Sequence, residues 1–419
     1  MEQLSYGAFS ADLHQRQSGK RAPTQVSIEV TRRCPLECQH CYNNLPMGDQ
    51  SARSREMTTE EHFKMLDELV EMGCFWLLYT GGEIFARKDF LEIYTYAKKK
   101  GFLITLFTNG TMITEKIADY LVEWPPFAIE ITLYGRTREI YEALTMIPGS
   151  YDRCLRGIKL LRERGLPLKL KTVATSINKH EVVSMRQFAE EELGVEFKID
   201  GQINPRIDCS QSPLAVRLTP EEVVALDLHS PKGISEYRRL AKHDLEKPPN
   251  LTQIDTQYFC GGGMESFAVN AYGEMGICIL SQQETFDVRQ DGLRKSWDDS
   301  LYSLRMRKRT RLTKCIECRI QSLCAMCPAN GEMENGDRET PVAFLCNVAH
   351  LRAVAVGVDI PAHGECEFCA GGSEHDSLLE SARRIATREI DVESWTAPHQ
   401  LLPILNNASA GGCGNCAGH

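Results

Sequence analysis

No stretch of this chain is apolar for anything near the length of a membrane span, which argues against a transmembrane helix. The polar segment from Met1 to Arg21 lacks the apolar centre of a secretory signal. Positive charge is also in short supply: 48 Lys and Arg stand against 57 Asp and Glu, a net charge of −9. That balance argues against a general nucleic-acid binder. The expectation is a chain with neither membrane nor nucleic acid as partner. What remains is ordinary for a soluble globular protein, with 42% hydrophobic and 25% charged residues. Its 419 residues are enough for two or three domains. Cysteine is not scarce. Seventeen cysteines without a signal point to a reducing cytoplasm and to metal ligation in place of disulfides.

Three of them, Cys34, Cys38 and Cys41, fall within eight residues, spaced by three and then two. They follow Val26–Thr31, an alternating β-branched run that reads as a strand. A loop leaving a strand end can fold three thiolates around one soft metal centre. Three ligands are one short of a closed site, and reactive metal sites are the ones that keep a position open. Zinc or a redox disulfide are the plainer readings of so short a motif.

Downstream, strand-like and helix-like segments alternate. Phe75–Thr80, Phe102–Thr108, Phe127–Leu133, Leu168–Thr175 and Val195–Ile203 read as further strands. Thr59–Met72, Asp89–Lys99, Thr114–Val122, Tyr151–Glu163 and Lys179–Glu192 read as helices, the first opened by an N-cap at Thr58 and closed at Gly73. Such repeats imply parallel strands with helices outside. Six units are too few for a closed eight-stranded barrel, so an open, partial (β/α)6 barrel is expected, with its chemistry at the strand C-terminal ends. The cysteine loop lies at such an end. So does Gly81-Gly82-Glu83, where two glycines permit a close backbone approach and a carboxylate can accept from an ammonium group. Thr108-Asn109 and Thr132 end the next two strands and are candidate pocket residues, though ordinary turn and strand roles serve them as well. Arg206 follows the sixth strand and is a candidate partner for a carboxylate, or simply an exposed loop arginine.

The cysteine spacing resembles the CxxxCxxC signature of radical S-adenosylmethionine (SAM) enzymes, with His40 where that family carries an aromatic. The resemblance implies a [4Fe–4S] cluster on Cys34, Cys38 and Cys41 whose unique iron is chelated by SAM. Gly81-Gly82-Glu83 resembles the family loop that holds the SAM amino group. Thr108, Asn109 and Thr132 would line the nucleoside pocket, and Arg206 would meet the SAM carboxylate.

Beyond a polar helical bridge, Cys260, Cys278, Cys315, Cys318, Cys324, Cys327 and Cys346 crowd into fewer than ninety residues. Thiolates at that density imply soft metals. Gly273 stands five residues before Cys278, and Cys315-x2-Cys318-x5-Cys324 follows. The pattern resembles the SPASM domain of peptide-modifying radical SAM proteins, which carries two auxiliary [4Fe–4S] clusters. The resemblance assigns Cys315, Cys318, Cys324 and Cys346 to a closed cluster and Cys260, Cys278 and Cys327 to one with only three thiolates. It departs in one place: two residues, not three, separate Cys324 from Cys327. Ile254 and Ile279 stand where sulfatase-maturing members carry a cysteine and an acid, which argues against that activity.

The expected division is an N-terminal extension (1–24), a radical SAM barrel (25–210), a helical bridge (211–254), a small Cys-rich SPASM domain (255–350) and a C-terminal tail (351–419). In the tail, Cys366/Cys369 and Cys413/Cys416 form two CxxC pairs with the ligand count of a zinc knuckle or a third iron site. The Gly-rich end could equally be a fused substrate peptide, a lid whose thiols reach the three-thiolate cluster, or an idle tail. Asp255 is the candidate fourth ligand that would close that cluster. Leu304–Arg311 is basic, as a solvated helix face or a dock for an acidic leader. Cys74, Cys154 and Cys209 read as buried, inert thiols.

The resemblance as a whole implies an enzyme that cleaves SAM reductively to a 5′-deoxyadenosyl radical and abstracts a hydrogen from a ribosomally made peptide or a protein side chain. A thioether or carbon–carbon crosslink would result, with a flavodoxin- or ferredoxin-like electron donor. Decarboxylation of a tetrapyrrole side chain, as in heme biosynthesis, is the alternative within the superfamily. A non-catalytic zinc or iron–sulfur scaffold is the alternative outside it.

Overall fold

The computed structural model describes residues 5–17, 19–246 and 255–397. Its centre is one nine-stranded sheet. Six parallel strands come from the first half of the chain: β1 (Gln25–Glu29), β2 (Trp76–Thr80), β3 (Leu103–Thr108), β4 (Ala128–Thr132), β5 (Leu168–Val173) and β6 (Phe197–Asp200). They lie side by side in sequence order, each joined to the next through a helical crossover, as a partial (β/α)6 barrel requires. Alternate residues of the strands are fully buried, among them Val26, Ile28, Leu77, Ile104, Leu106, Ile131 and Leu170.

The helices form where capping and amphipathicity agree. Thr58 and Glu61 close a reciprocal capping box at the start of Thr59–Glu71, which buries Met65, Leu66 and Leu69. The expected helix Lys179–Glu192 is instead a 3₁₀ turn, an α-helix (Val182–Gln187) and a π-turn in succession. The carboxylate of its buried Glu181 accepts from the Arg136 and Thr137 N–H groups and the Thr137 hydroxyl. Those bonds support an unforeseen helix, Arg138–Thr145, between β4 and β5.

The sheet does not stop at the boundary expected at residue 255. β7 (Ser266–Val269) pairs in parallel with β1, and β8 (Glu274–Gly276) and β9 (Phe286–Asp287) continue antiparallel from it. The cysteine-rich region is thus an extension of the barrel's first edge, and one apolar core runs from Val26 through Phe267 and Trp297 to Val392. At the other end of the barrel, the helix Tyr6–Gln17 sets Tyr6, Phe9 and His14 against Phe127, Phe75 and Trp76 at the strand starts. No described helix is long and apolar enough to cross a membrane.

Candidate active site

Thr31 ends the first strand run and turns the chain into the cysteine loop. A two-residue parallel pair, Arg33–Cys34 with Leu45–Pro46, closes the loop at its root. The end of the helix Arg138–Thr145 holds its middle: the Glu37 and Gln39 N–H groups donate to the Thr145 (3.0 Å) and Leu144 (3.1 Å) carbonyls, and Gln39 Nε2 donates to the Ala143 carbonyl (2.9 Å). Within this frame Cys34, Cys38 and Cys41 face one another. Burial, above all, and their mutual repulsion raise the pKa of Cys34 and Cys38; burial raises that of Cys41. A bound cation would relieve that resistance to ionisation, since coordination removes a thiol proton outright. Desolvation pushes the pKa of His40 down to about 4, and its ring packs 5.1 Å from that of Tyr134.

The Gly81-Gly82 turn is pressed against the root of this loop. A Cβ on Gly81 would sit 2.1 Å from the Thr31 carbonyl oxygen, and one on Gly82 2.5 Å from that of Arg32. The Gly82 and Glu83 N–H groups donate to the Thr31 (2.8 Å) and Arg33 (3.0 Å) carbonyls. The close approach these glycines permit is therefore one of backbone to backbone. Glu83 is buried, and burial holds its carboxyl above the usual range despite bonds from Asn109, Thr108 and Phe85. Its oxygens accept from the Thr108 hydroxyl (2.7 and 2.9 Å), the Asn109 N–H (2.8 Å) and the Phe85 N–H (3.2 Å). Asn109 in turn points Nδ2 at Cys34 Sγ (3.5 Å) and uses Oδ1 to hold Thr111. Gly81, Gly82, Glu83, Thr108 and Asn109 are thus brought together with the cysteines. Thr132 ends β4 two strands away from the Gly-Gly turn.

Arg206 lies 3.8 Å from the Asp208 carboxylate. It donates to the Cys41 carbonyl (3.2 Å), Asn44 Oδ1 (2.9 Å) and the Asn44 carbonyl (2.8 Å), and so clamps the far end of the loop. Glu29 was not anticipated. This buried carboxylate accepts from Asn43 and Arg32, whose other nitrogen reaches Gln282 (3.0 Å) in the extension. Glu130 on β4, Lys171 on β5 and Lys198 on β6 were missed as well. Lys171 and Lys198 lie 3.2 and 3.4 Å from Glu130, and the Lys171 ammonium sits over the Phe107 ring. Burial, offset in part by Glu130, pushes the Lys171 pKa down to about 8. Their signal was in the sequence: charges at alternating positions of strands that should be apolar on both faces.

In the extension, Cys278 feels the charges of both Cys327 and Cys260, while Cys324 feels those of Cys315 and Cys318 and Cys346 that of Cys324. Cys278 thus neighbours Cys327 and Cys260, the three that the resemblance groups together. Burial pushes Cys278 and Cys324 each up to about 11. One cavity is lined by Cys315, Cys318, Cys324, Cys346 and Cys327 together, so Cys327 also borders the other set. Asp255 pairs with Lys308. The basic run is neither a solvated helix face nor bare: Arg305 donates to the Tyr258 and Cys260 carbonyls, Arg307 pairs with Glu284, and Arg309 donates to the Thr256 carbonyl. Cys74, Cys154 and Cys209 are buried. Cys413, Cys416 and Ile254 lie outside the described residues; Cys366 and Cys369 face His350 and His363.

Residues 28–189 match the family described as the Radical SAM superfamily. The chain carries a radical SAM domain there and is an enzyme of that class, whose cofactors are a [4Fe–4S] cluster and SAM. It is 25% identical over 331 residues to the AdoMet-dependent heme synthase of Methanosarcina barkeri, covering 75% of this chain and 94% of that one. It is 30% identical over 167 residues to the PqqA peptide cyclase of Bradyrhizobium diazoefficiens, covering 40% and 43%. In fold it is similar to Streptococcus suis SuiB bound to precursor peptide SuiA, with a TM-score of 0.62, 15% identity and coverage of 81% and 80%.

Proposed function

We propose that this radical SAM enzyme acts in the cytoplasm on a peptide or protein side chain, closing a thioether or carbon–carbon crosslink. When bound, the cluster and SAM supply a carbon radical by reductive cleavage. In this reading Cys34, Cys38 and Cys41 hold the cluster. Asn109 steadies Cys34, and Glu83 fixes the turn that Gly81 and Gly82 press against the loop root. Thr108, Asn109 and Thr132 border the nucleoside, and Arg206 keeps the loop closed around its metal. Cys315, Cys318, Cys324 and Cys346 hold one auxiliary cluster. Cys260, Cys278 and Cys327 hold the other and leave a position for a substrate thiol. A flavodoxin- or ferredoxin-like protein delivers the electron.

The observation that carries the peptide reading is the grouping of Cys260, Cys278 and Cys327 with Cys260 exposed. Three thiolates with an outward-facing member suit capture of a substrate cysteine, because a metal ionises a coordinating thiol. The extent of the match to the heme synthase favours a second reading, tetrapyrrole side-chain decarboxylation. Anaerobic incubation with SAM and dithionite separates them. With a cysteine-bearing peptide encoded beside the gene, the product is expected to lose two hydrogen atoms. Carbon dioxide released from an iron porphyrin bearing propionates, with the peptide unchanged, would overturn the peptide assignment.

A further inference from the structure

The helix Ala343–Ala355 carries Cys346 and His350 four residues apart, hence on one face. Cys346 neighbours Cys366 and, less closely, Cys324, and its Sγ lies 3.8 Å from His350 Nδ1. His350 turns its Nε2 to a strap that follows the helix. Its Nε2 lies 3.4 Å from Cys366 Sγ and 3.7 Å from Cys369 Sγ, and His363 Nδ1 lies 3.4 Å from Cys369 Sγ. One ligand atom from each of these four buried residues falls within 4.8 Å of all the others.

Those separations are the edges of a small tetrahedron. Tetrahedral zinc, with Zn–S of about 2.3 Å and Zn–N of about 2.0–2.1 Å, sets each nitrogen about 3.6 Å from each sulfur. The three observed distances straddle that value. The tautomer is also arranged: His350 Nδ1 lies 2.7 Å from the Cys346 carbonyl, so it carries the proton and leaves the Nε2 lone pair facing the thiols. The strap is shaped to bring its two cysteines to the same point. The Cys369 N–H donates to the Cys366 carbonyl (3.3 Å), and the turn is so tight that a Cβ on Gly372 would meet the Glu367 carbonyl oxygen at 2.3 Å.

We propose that His350, His363, Cys366 and Cys369 bind one Zn²⁺ as a closed, four-ligand structural site, distinct from the iron centres and complete without Cys413 and Cys416. Binding forms two Zn–S and two Zn–N bonds, and the two thiol protons leave to solvent. No electron moves. The ion ties the strap to the helix that presents Cys346, so the auxiliary thiol group is held by a neighbour that does not change its oxidation state.

The test uses the full chain purified anaerobically. Elemental analysis is expected to find about one zinc per chain besides the iron. Zinc-edge X-ray absorption is expected to give two sulfur ligands at about 2.3 Å and two nitrogens at about 2.0–2.1 Å. The C366S/C369S variant should lose the zinc and keep its iron, and C413S/C416S should keep both. Should C366S/C369S fail to fold, H363N serves instead, with zinc retention against a chelator weakened at least about tenfold. Wild-type protein without zinc, a four-sulfur zinc shell, zinc loss in C413S/C416S, or loss of about four irons in C366S/C369S would each overturn the assignment.

Discussion

The two thiol-bearing regions are built on opposite plans. The loop of Cys34, Cys38 and Cys41 is held mainly by backbone: a parallel pair at its root, a helix end at its middle, and the Gly81-Gly82 turn against its base. Arg206 and Asn109 add side-chain contacts from distant segments. The thiols of the extension, apart from Cys346 on its helix, lie mostly on short turns and irregular chain stitched by arginines and carboxylates. Arg305 and Arg309 bind the carbonyls around Cys260, and Glu339 gathers Gln257, Thr310 and Arg311. Cys260 is exposed, whereas Cys34 is buried. A backbone frame fixes its ligands before metal arrives. A frame of side chains relies on the metal to finish the fold.

That contrast can be broken from either side. The largest effect is expected from Gly81→Ala, whose new Cβ has the Thr31 carbonyl at 2.1 Å and a backbone φ of +141° to contend with. A loss of about 3 kcal/mol is expected by denaturant unfolding of the metal-free chain; a loss below about 1 kcal/mol would mean that the turn yields easily. Next comes Arg206→Met, which removes charge-assisted bonds worth about 2 kcal/mol at the loop end. Iron should fall at the first centre, and SAM cleavage with it, while the auxiliary iron stays. Arg305→Met should do the converse more mildly, lowering iron in the extension with SAM cleavage intact. If both variants lose the same iron, the two frames are one unit.

The smallest effect concerns Lys171. Its folded pKa of about 8 lies below the unfolded value of about 10.4, so the folded chain sheds this proton first. The cost of burying the ammonium is fully present below pH 8 and is relieved as pH rises toward 10. Lys171→Met should remove that rise in stability, read as melting temperature against pH. An unchanged profile would place the ammonium in water.

Much of this was legible in the residues. The strand and helix alternation placed all six barrel strands, because each is a short β-branched or apolar run punctuated by a helical segment. Cysteine spacing marked both regions, because several of the cysteines fall in short local runs such as Cys34–Cys41 and Cys315–Cys327. Helix Arg138–Thr145 went unseen because its eight residues are short and polar on one face, and the bonds from Glu181 that support it come from forty residues on. The same limit hid β7 beside β1, whose pairing spans some 240 residues. Arg206 and Glu83 were recognisable as important and not as partners of the loop and of Thr108, since sequence gives a side chain's chemistry without its direction. His350 and His363 carried no spacing signal of their own; Cys366 and Cys369 did, through their CxxC spacing.

The central claim is that the backbone-framed loop alone supports cleavage of SAM. It is tested most directly by measuring 5′-deoxyadenosine and iron together in two reconstituted variants. The C34A/C38A/C41A chain should lose about four irons and form no 5′-deoxyadenosine, while C260A/C278A/C327A should lose iron and still cleave SAM. Deoxyadenosine formed by the first variant would contradict the account.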